Sequence, residues 1–481
     1  MASNSCQFPS HENYKKPNIL FILSDDHGYA DRAHAGIHPT LHTPGLDRIT
    51  AEGVECTDGY VSAPICSPSR AGIMTGQYQE RWGSLWFDSA EFPSDPHISS
   101  LAEVLKSAGY RTGYFGKVHY GSEKVGDRGC PPHHGFDTTF YGLAGQSYGR
   151  LNYLHHSSNA QEEYGEQGAV VMAVQPMLDG DVPVEYEGFI TDEFGRRARN
   201  FIADEDERPF FCMLAFNAVH NFCWQLPQEE LTKRNLPAFR DFHSSDPCTY
   251  GQWYDDVIMP HLEHGRDYYI AQLELMDQQI SAILDDLDKQ GIADNTLVVY
   301  ITDNGGSTCN YGDNAPLRGT KYTLWEGGIR VPMLWRWPAA LPAGKKCAQL
   351  ASSLDLMPTF RAIAGLQPDP HSDGINLLPI LTGNESTQRT LHWDHGFQFA
   401  VRNGKWKLSW VDSTSDDVQA LKREEHAPMG EGLFLADLEN DISERHNCAN
   451  EKPDVVKALW AAHEQWCAEV GIRAHGECPM K

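Results

Sequence analysis

Unbroken runs of apolar residues recur along the first part of the chain, each of a length typical of a strand. They cover residues 17–24, 209–216 and 296–302, and each ends abruptly in charged or amide side chains. A continuous apolar run of this length indicates a strand buried on both faces of a parallel sheet. The three segments therefore predict central strands of such a sheet.

Segments with apolar residues at steps of three and four lie between these runs. Residues 98–108, 191–203 and 264–290 show this spacing, which predicts amphipathic helices. A further strand is predicted at 110–116, directly after the first helix, and it completes a β-α-β step. This order predicts an α/β fold in which helices flank a large, mostly parallel mixed sheet.

The pattern changes toward the C-terminus. Two predicted strands at 397–402 and 405–410 are joined by Asn403-Gly404, a dipeptide typical of tight hairpins. The remaining predicted elements are a strand at 431–438 and a closing helix at 453–470.

The length of 481 residues is typical of a chain with two domains. Together with the change of pattern, it predicts an α/β domain over residues 17–383 and a C-terminal α+β subdomain over 384–481. We expect the smaller unit to combine an antiparallel sheet with one helix.

The chain carries a formal net charge of −27, from 39 basic and 66 acidic residues. This excess of acid argues against nucleic acid or an anionic membrane surface as a partner. No apolar run approaches the ~18 residues that a membrane-spanning helix needs. An anionic substrate is still compatible with the charge, because a local cluster of Arg, Lys and metal can hold one.

Twelve cysteines are scattered along the chain without a CxxC pair. This usage favours free thiols in a reducing compartment, although disulfides are also compatible with it. Residues 1–16 are polar and contain no apolar segment of a signal peptide. The sequence as written therefore predicts a cytoplasmic protein, and a periplasmic or secreted one if a leader has been removed.

Oxygen-bearing side chains follow two of the apolar runs. Asp25 and Asp26 come directly after the first run, and Asp303 and Asn304 come after the third. The carboxyl ends of parallel strands are where open α/β sheets bind their ligands. Adjacent acids repel each other, and a divalent cation relieves that repulsion while using the oxygen ligands it prefers. The alternative interpretation is a solvated turn at the strand end.

A cysteine lies at a predicted helix start. Cys66 is followed by a Ser-Pro-Ser stretch, in which cap-type residues flank a proline suited to a first helical turn. Arg70 lies about one turn further along. Because a helix N-terminus has free N–H groups and favours a bound anion, Cys66 is a candidate nucleophile. The alternative is a small buried apolar residue.

Basic side chains follow the other two predicted strands. Lys117 and His119 come at the end of strand 110–116, and their spacing of two places them on the same side of an extended chain. His220 follows strand 209–216, where it could protonate a leaving group or hold an oxyanion oxygen. Ordinary surface or structural residues also fit these positions.

Three segments resemble one enzyme family. The pattern Cys-x-Pro-Ser-Arg at residues 66–70 matches the modification signature of the sulfatases at every fixed position. Residues 116–121 resemble the family's Gly-Lys-x-His-x-Gly segment, with Val118 where the family often has tryptophan. Residues 317–332 resemble a further block, in which Lys321 takes the place of a sulfate-binding lysine. The chain is therefore similar to the formylglycine-dependent sulfatases of the alkaline phosphatase superfamily, and the resemblance implies their fold.

The resemblance implies a modified residue and a metal. Cys66 would be oxidised to formylglycine, an aldehyde that is hydrated in the resting enzyme, and a formylglycine-generating enzyme would be the partner during maturation. It also implies a bound Ca²⁺, with Mg²⁺ as the alternative. The implied metal ligands are Asp25, Asp26, Cys66, Asp303 and Asn304.

The resemblance further implies hydrolysis of a sulfate monoester. One hydroxyl of the hydrate attacks sulfur, and His220 or Lys321 assists the departing alcohol. His119 then deprotonates the second hydroxyl as the aldehyde re-forms and sulfate leaves. Arg70 and Lys117 hold the hydrate and its oxyanion.

The expected substrate is a small-molecule or oligosaccharide sulfate ester. An irregular insertion at 222–263 contains Trp224, Trp253 and Tyr254, which suit stacking on sugar rings and equally suit packing of the loop. With the acidic residues around them, they favour a carbohydrate sulfate. The alternatives are a phosphonate or phosphate diester hydrolase of the same superfamily and a non-catalytic glycan-binding relative.

Overall fold

The computed structural model describes residues 16–86, 91–122, 124–144, 149–259 and 261–480. The polar N-terminal segment, on which the expectation of no leader rests, lies outside these residues apart from Lys16. Within the described residues, no helix combines the length and the apolar character needed to cross a membrane.

The secondary structure alternates between strands and helices up to the last sheet. The strands are β1 (Asn18–Ser24), β2 (Val54–Cys56), β3 (Gly59–Tyr60), β4 (Arg111–Lys117), β5 (Thr138–Gly142), β6 (His155–His156), β7 (Met177–Asp179), β8 (Val182–Val184), β9 (Tyr186–Glu187), β10 (Phe210–Ala215), β11 (Thr296–Thr302), β12 (Met333–Arg336), β13 (Lys345–Cys347), β14 (Ala351–Ser352), β15 (Thr390–Asp394), β16 (Gln398–Asn403), β17 (Trp406–Val411) and β18 (Gly432–Asp437). The α-helices are α1 (Pro44–Ala51), α2 (Cys66–Thr75), α3 (Leu101–Ser107), α4 (Ala160–Tyr164), α5 (Glu166–Val171), α6 (Ile190–Ile202), α7 (Gln228–Arg234), α8 (Tyr250–Trp253), α9 (Gly265–Lys289), α10 (Glu326–Ile329), α11 (Leu356–Ile363), α12 (Leu378–Leu381), α13 (Asp416–Glu424) and α14 (Pro453–Val470).

Ten strands form one mixed sheet in the order β13-β2-β12-β11-β1-β10-β4-β5-β7-β8. The central strands, from β11 to β5, run parallel to one another. Antiparallel pairs lie toward both margins, between β11 and β12 and among β5, β7 and β8. The predicted large, mostly parallel mixed sheet is confirmed, and the three apolar runs are its neighbouring strands β10, β1 and β11.

The apolar runs form strands because both faces of this sheet are covered. Leu20 and Ile22 of β1 belong to one buried cluster, together with residues of α6 and α9. Ile19, Phe21 and Leu23 alternate into a second cluster, which includes residues of α2, α3 and α11. Burial of each large apolar side chain contributes about 1.5–3 kcal/mol. The alternation with period two therefore stabilises the strand through both of its faces.

Four strands form a separate antiparallel sheet in the order β15-β16-β17-β18, as predicted for the C-terminal part. Helix α14 packs against it, with the rings of Phe399 and Trp460 5.1 Å apart. The hairpin loop is displaced by one residue from the predicted position. Asn403 pairs with Trp406, so the loop consists of Gly404 and Lys405. Gly404 has a φ of 55° and Lys405 has no positive φ, which fits a type II′ turn instead of the Asn-Gly type I′ turn.

The eleven cysteines among the described residues are all free thiols, as expected from their spacing.

Candidate active site

The carboxyl ends of neighbouring parallel strands bring the predicted site residues together. β1 leads into Asp25 and Asp26, β4 into Lys117 and His119, β10 into His220, and β11 into Asp303 and Asn304, while α2 supplies Cys66 and Arg70 and the segment before α10 supplies Lys321. All ten of these side chains are buried.

Cys66 is the first residue of helix α2, and Ile65 occupies the N-cap position without a side-chain cap. The cap-type residues Ser67 and Ser69 do not cap this helix, because it begins at Cys66 and both serines lie in its first turn. The Cys66 Sγ lies 3.4 Å from Asp25 Oδ1 and 3.8 Å from Asp26 Oδ1. Burial, reinforced by Asp25 and Asp303, raises the pKa of the Cys66 thiol well above its usual value. The unmodified side chain is therefore a protonated thiol, which is a poor nucleophile.

Three carboxylates converge below this thiol. Asp25, Asp26 and Asp303 are fully buried, and the Asp26 N–H donates to Asp303 Oδ1 at 3.2 Å. Asp26 has a φ of 55°, a left-handed conformation that is uncommon for a residue other than glycine. Burial and the Asp303 carboxylate raise the pKa of Asp25 to about 7. Burial alone would raise the pKa of Asp303, but the nearby cations Arg70 and Lys117 hold it below its usual value.

Three cationic side chains match the three carboxylates. Arg70 Nε donates to Asp303 Oδ2 at 2.7 Å, and its Nη2 lies 3.3 Å from Asp25 Oδ2. Lys117 donates to the same Asp25 oxygen. Lys321 Nζ lies 2.8 Å from Asp26 Oδ1. This pairing offsets the cost of burying these charged side chains, because each carboxyl group has a cationic partner.

The same centre has the donor set of a hard divalent cation. Asn304 donates through Nδ2 to Asp26 Oδ1 at 2.7 Å, and its own Oδ1 is buried without a hydrogen-bond partner among the described residues. Carboxylate and amide oxygens are the ligands that Ca²⁺ and Mg²⁺ prefer. One ligand atom each from Asp25, Asp26, Cys66 and His220 also lie within 4.8 Å of one another. The residues present therefore fit such an ion, and the structure adds His220 to the neighbourhood of the predicted ligands.

The two histidines are neutral for the same physical reason. Burial, then the charges of Lys117 and Arg70, lower the pKa of His119 well below its usual value. Its Nδ1 is buried without a hydrogen-bond partner among the described residues, and its φ is 54°. Burial, then Lys321, lower the pKa of His220 in the same direction. Each ring is therefore neutral and keeps one nitrogen lone pair, which in His220 faces Lys321 at 3.1 Å.

One cavity of about 330 Å³ opens onto this centre. Of the predicted residues, those that line it are Asp26, Cys66, His119, His220 and Lys321. Five predicted residues do not line the cavity and act on it through hydrogen bonds and charge: Asp25, Arg70, Lys117, Asp303 and Asn304. The cavity surface thus brings together the candidate nucleophile Cys66, the two neutral histidines and the Lys321 ammonium.

Sequence reasoning missed several residues of this cavity. Asn310 donates to Asp26 Oδ2 at 2.5 Å, and Arg150 lies over the rings of Tyr250 and Tyr254 at 5.1 and 5.3 Å. Glu425, just after α13, reaches the cavity from the C-terminal part of the chain. These residues come from irregular segments without a motif, so no local signal identified them.

The aromatic residues of the insertion at 222–263 divide between the two roles considered. Trp224 and Trp253 are buried, and their rings pack 5.8 Å apart. Tyr254 lines the cavity, and its hydroxyl accepts from Asn221 Nδ2 at 2.5 Å. The two tryptophans therefore pack the loop, and Tyr254 alone of the three faces the site.

Family comparisons agree with this arrangement. The family model described as Sulfatase matches residues 17–366, and the one described as N-sulphoglucosamine sulphohydrolase, C-terminal, matches residues 320–465. Arylsulfatase A from Bos taurus is 31% identical, with 93% of this chain and 86% of that protein covered. N-acetylgalactosamine-6-sulfatase from Canis lupus familiaris is 29% identical, with coverage of 84% and 74%.

A solved structure has the same architecture. The crystal structure of Ps i-CgsB in complex with k-i-k-neocarrahexaose superposes with a TM-score of 0.77 at 29% identity. The match covers 94% of this chain and 93% of that one, so it includes both sheets.

Proposed function

The chain belongs to the sulfatase family, and from this we propose that it hydrolyses a carbohydrate sulfate through formylglycine at residue 66 beside a divalent cation. Its relatives are sulfuric ester hydrolases, and this chain is one also. The observation that carries the finer proposal is the position of Cys66. Its side chain lies 3.4 Å from a buried carboxylate and shares one cavity with Lys321 and both histidines.

The proposed modification explains why a poor nucleophile stands at the centre. A buried, protonated thiol cannot attack a sulfur atom that negative oxygens shield. A formylglycine-generating enzyme, acting with its own oxidant, would break the Cβ–S bond of Cys66, remove the sulfur and leave an aldehyde. Hydration of that aldehyde then supplies two hydroxyl groups at the same position. The helix N-terminus beneath them favours a developing negative charge.

The residues that would hold the cation are Asp25, Asp26, Asp303 and Asn304, together with residue 66. Such an ion, when bound, neutralises sulfate oxygens and lowers the pKa of a coordinated hydroxyl group. The buried Oδ1 of Asn304, which has no hydrogen-bond partner among the described residues, supports this assignment, because a bound cation would supply one. Burial and the Asp303 carboxylate raise the pKa of Asp25, and a cation beside the two acids would relieve their repulsion.

The protein's own side chains supply the proton transfers. Asp26 keeps the pKa of Lys321 well above its usual value, although burial alone would lower it. Lys321 is therefore the protonated group beside the cavity, and we assign it to the departing alcohol oxygen in preference to the neutral His220. His119, with a free Nδ1, is the base for the second hydroxyl. Arg70 and Lys117 orient the carboxylates from behind.

The cavity favours a sugar over a flat aryl ester. Its lining includes Arg150, Glu425, Tyr250 and Tyr254, side chains that combine hydrogen-bonding groups with aromatic faces. A volume of about 330 Å³ suits one sugar unit at the reacting position. The oligosaccharide in the structure of Ps i-CgsB supports the same substrate class.

The modification is tested on protein produced together with a formylglycine-generating enzyme. Mass spectrometry of the peptide that contains residues 66–70 should show conversion of thiol to aldehyde. Cys66→Ala should lower sulfate release by on the order of 10³-fold or more. Cys130→Ala is the matched control, because this thiol is buried but does not line the cavity, and it should retain the activity of the wild type. Full turnover by Cys66→Ala would refute the proposal.

The substrate class is tested with a panel of defined sulfated mono- and oligosaccharides, an aryl sulfate and a phosphate diester. We expect the highest kcat/KM for a sulfated saccharide. A higher kcat/KM for the phosphate diester would instead identify a diester hydrolase.

A further inference from the structure

A second cluster of metal-ligating side chains lies where helix α14 meets the C-terminal sheet. Asp394 ends β15, His463 and Cys467 lie one turn apart on α14, and His475 follows in the tail after that helix. None of these residues lines the catalytic cavity. We propose that this cluster binds a transition-metal ion of the Zn²⁺ type, as a structural site independent of the sulfatase chemistry.

The geometry carries the proposal. Three donors converge on a single oxygen, Asp394 Oδ2: His475 Nε2 at 2.6 Å, His463 Nε2 at 3.0 Å and Cys467 Sγ at 3.8 Å. The ligand atoms of Asp394, His463 and Cys467 all lie within 4.8 Å of one another. A tetrahedral ion with bonds of about 2.0–2.3 Å holds its ligand atoms roughly 3.3–3.8 Å apart. Cys467 Sγ already lies at such a distance from Asp394 Oδ2, whereas the two imidazole nitrogens, now at hydrogen-bond distance, would move outward as an ion enters between them.

The chemical types of the ligand atoms indicate which metal ion the cluster would bind. One imidazole, one thiol and one carboxylate lie together, and a second imidazole, that of His475, lies on the same carboxylate oxygen. Zn²⁺ binds such a mixed nitrogen, sulfur and oxygen set, which Ca²⁺ and Mg²⁺ do not favour. On binding, the Cys467 S–H bond breaks, the sulfur bonds to the ion and the proton leaves to solvent, with no change of oxidation state. The thiolate and the Asp394 carboxylate then balance the two positive charges of the ion.

The surroundings hold the two imidazoles in place. The His463 ring stacks on Phe399 at 4.2 Å and lies 5.3 Å from Trp466. The His475 ring lies 4.7 Å from Phe399. His463 and Cys467 have no exposed surface, so water competes poorly for these ligands. An orientation fixed by packing is what a metal site of defined geometry requires.

An orphaned carboxyl oxygen lies beside the cluster. Glu80, in the turn at Gln79–Trp82, is 2% exposed, and its Oε2 has no hydrogen-bond partner among the described residues. The carboxyl group of Glu80 lies close to Asp394, so the cluster adjoins the first part of the chain as well as the C-terminal helix.

Co²⁺ is the probe, because a tetrahedral Co²⁺–thiolate centre has a charge-transfer band and visible d–d bands that an oxygen site lacks. The full chain is used with Cys66→Ala, so that the active-site thiol contributes no band. We expect one equivalent of Co²⁺ to produce the thiolate band, and Zn²⁺ to displace it. Cys467→Ser should abolish the band, and His475→Ala, in the tail, should weaken Co²⁺ binding by about tenfold or more.

Cys448→Ser is the matched control. Cys448 belongs to another group of possible ligands in the same part of the chain, with the exposed His446 and Glu451, and its replacement should leave the band unchanged. Circular dichroism verifies that each variant is folded. A folded protein without a thiolate band, a band that survives Cys467→Ser, or one that is lost in Cys448→Ser would each overturn the proposal. Sulfate release is no part of this readout, so failure here is distinguishable from failure of the proposed function.

Discussion

Lys321 Nζ lies 3.1 Å from Nε2 of His220, and the ammonium donates to that nitrogen. Burial and the lysine charge lower the pKa of His220, whereas Asp26 keeps the lysine protonated. The proton of this pair therefore resides on Lys321. The two residues are 101 positions apart in the chain, and their contact defines which of them can act as an acid.

Lys321→Met tests that assignment. Removal of the ammonium should lower kcat by roughly 10²–10³-fold, because the leaving oxygen loses its proton donor and a stabilising charge. The pKa of His220 should rise, because one of the causes that lower it is removed, and an NMR titration of its ring should show the change. Lys346→Met, at an exposed lysine, is the control and should change neither kcat nor the His220 titration. A His220 titration that stays in place would show that this ring does not sense Lys321.

Gly149→Ala should displace His119. A Cβ at residue 149 would lie 2.7 Å from His119 Cε1, and Gly149 has a φ of +80°. We expect kcat to fall by roughly ten- to a hundredfold as the base moves. Gly126→Ala has comparable backbone strain at φ +91° but no atom within 4 Å of the added Cβ. Both variants should lose a similar amount of stability, about 1 kcal/mol, in urea titrations. Equal kcat values for the two would exclude a steric role of residue 149.

Glu444 should make stability depend on pH. Lys407 Nζ lies 2.9 Å from Glu444 Oε1, yet burial, reinforced by Glu326, raises the pKa of Glu444 to about 7. The unfolded value is about 4.3, so between these values the folded chain binds more protons than the unfolded chain. This group therefore lowers the free energy of unfolding as pH rises from about 4 to about 7, by roughly 1–3 kcal/mol.

Glu444→Gln should remove that part of the dependence. Urea titrations at pH 5 and pH 8 should show a smaller loss of stability in the variant than in the wild type. Glu439→Gln, at a largely exposed carboxyl, is the control and should keep the wild-type difference. The comparison uses the difference between the free energies of unfolding at the two pH values. A hydrogen bond that the substitution removes at both pH values lowers both free energies and so cancels in this difference. An identical difference in wild type and Glu444→Gln would contradict the prediction.

Asn304→Ala should weaken the cation that the proposed mechanism uses. We expect the Ca²⁺ concentration for half-maximal activity to rise by about tenfold or more after chelator treatment, because one oxygen ligand is lost. Asn376→Ala, outside the cavity, should respond to Ca²⁺ as the wild type does. Activity that is fully retained after chelation in the wild type would argue against any metal.

Much of the site could be predicted because it follows regular elements. Parallel neighbours β1, β4, β10 and β11 end at one edge of the sheet, so residues at these ends or in the loops that follow them lie close together. Asp25, Lys117, His220 and Asp303 were identified in this way. Arg150, Asn310 and Glu425 could not be, because irregular segments have no period from which a direction can be read.

The sequence by itself determined the layered α/β architecture and the kind of chemistry, because apolar runs and their polar ends are local features of the chain. Only the tertiary structure decided the distances among these groups, the neutral state of His119 and His220, and the protonated state of Lys321. Burial and charges from remote segments set those states, and both depend on how the whole chain packs.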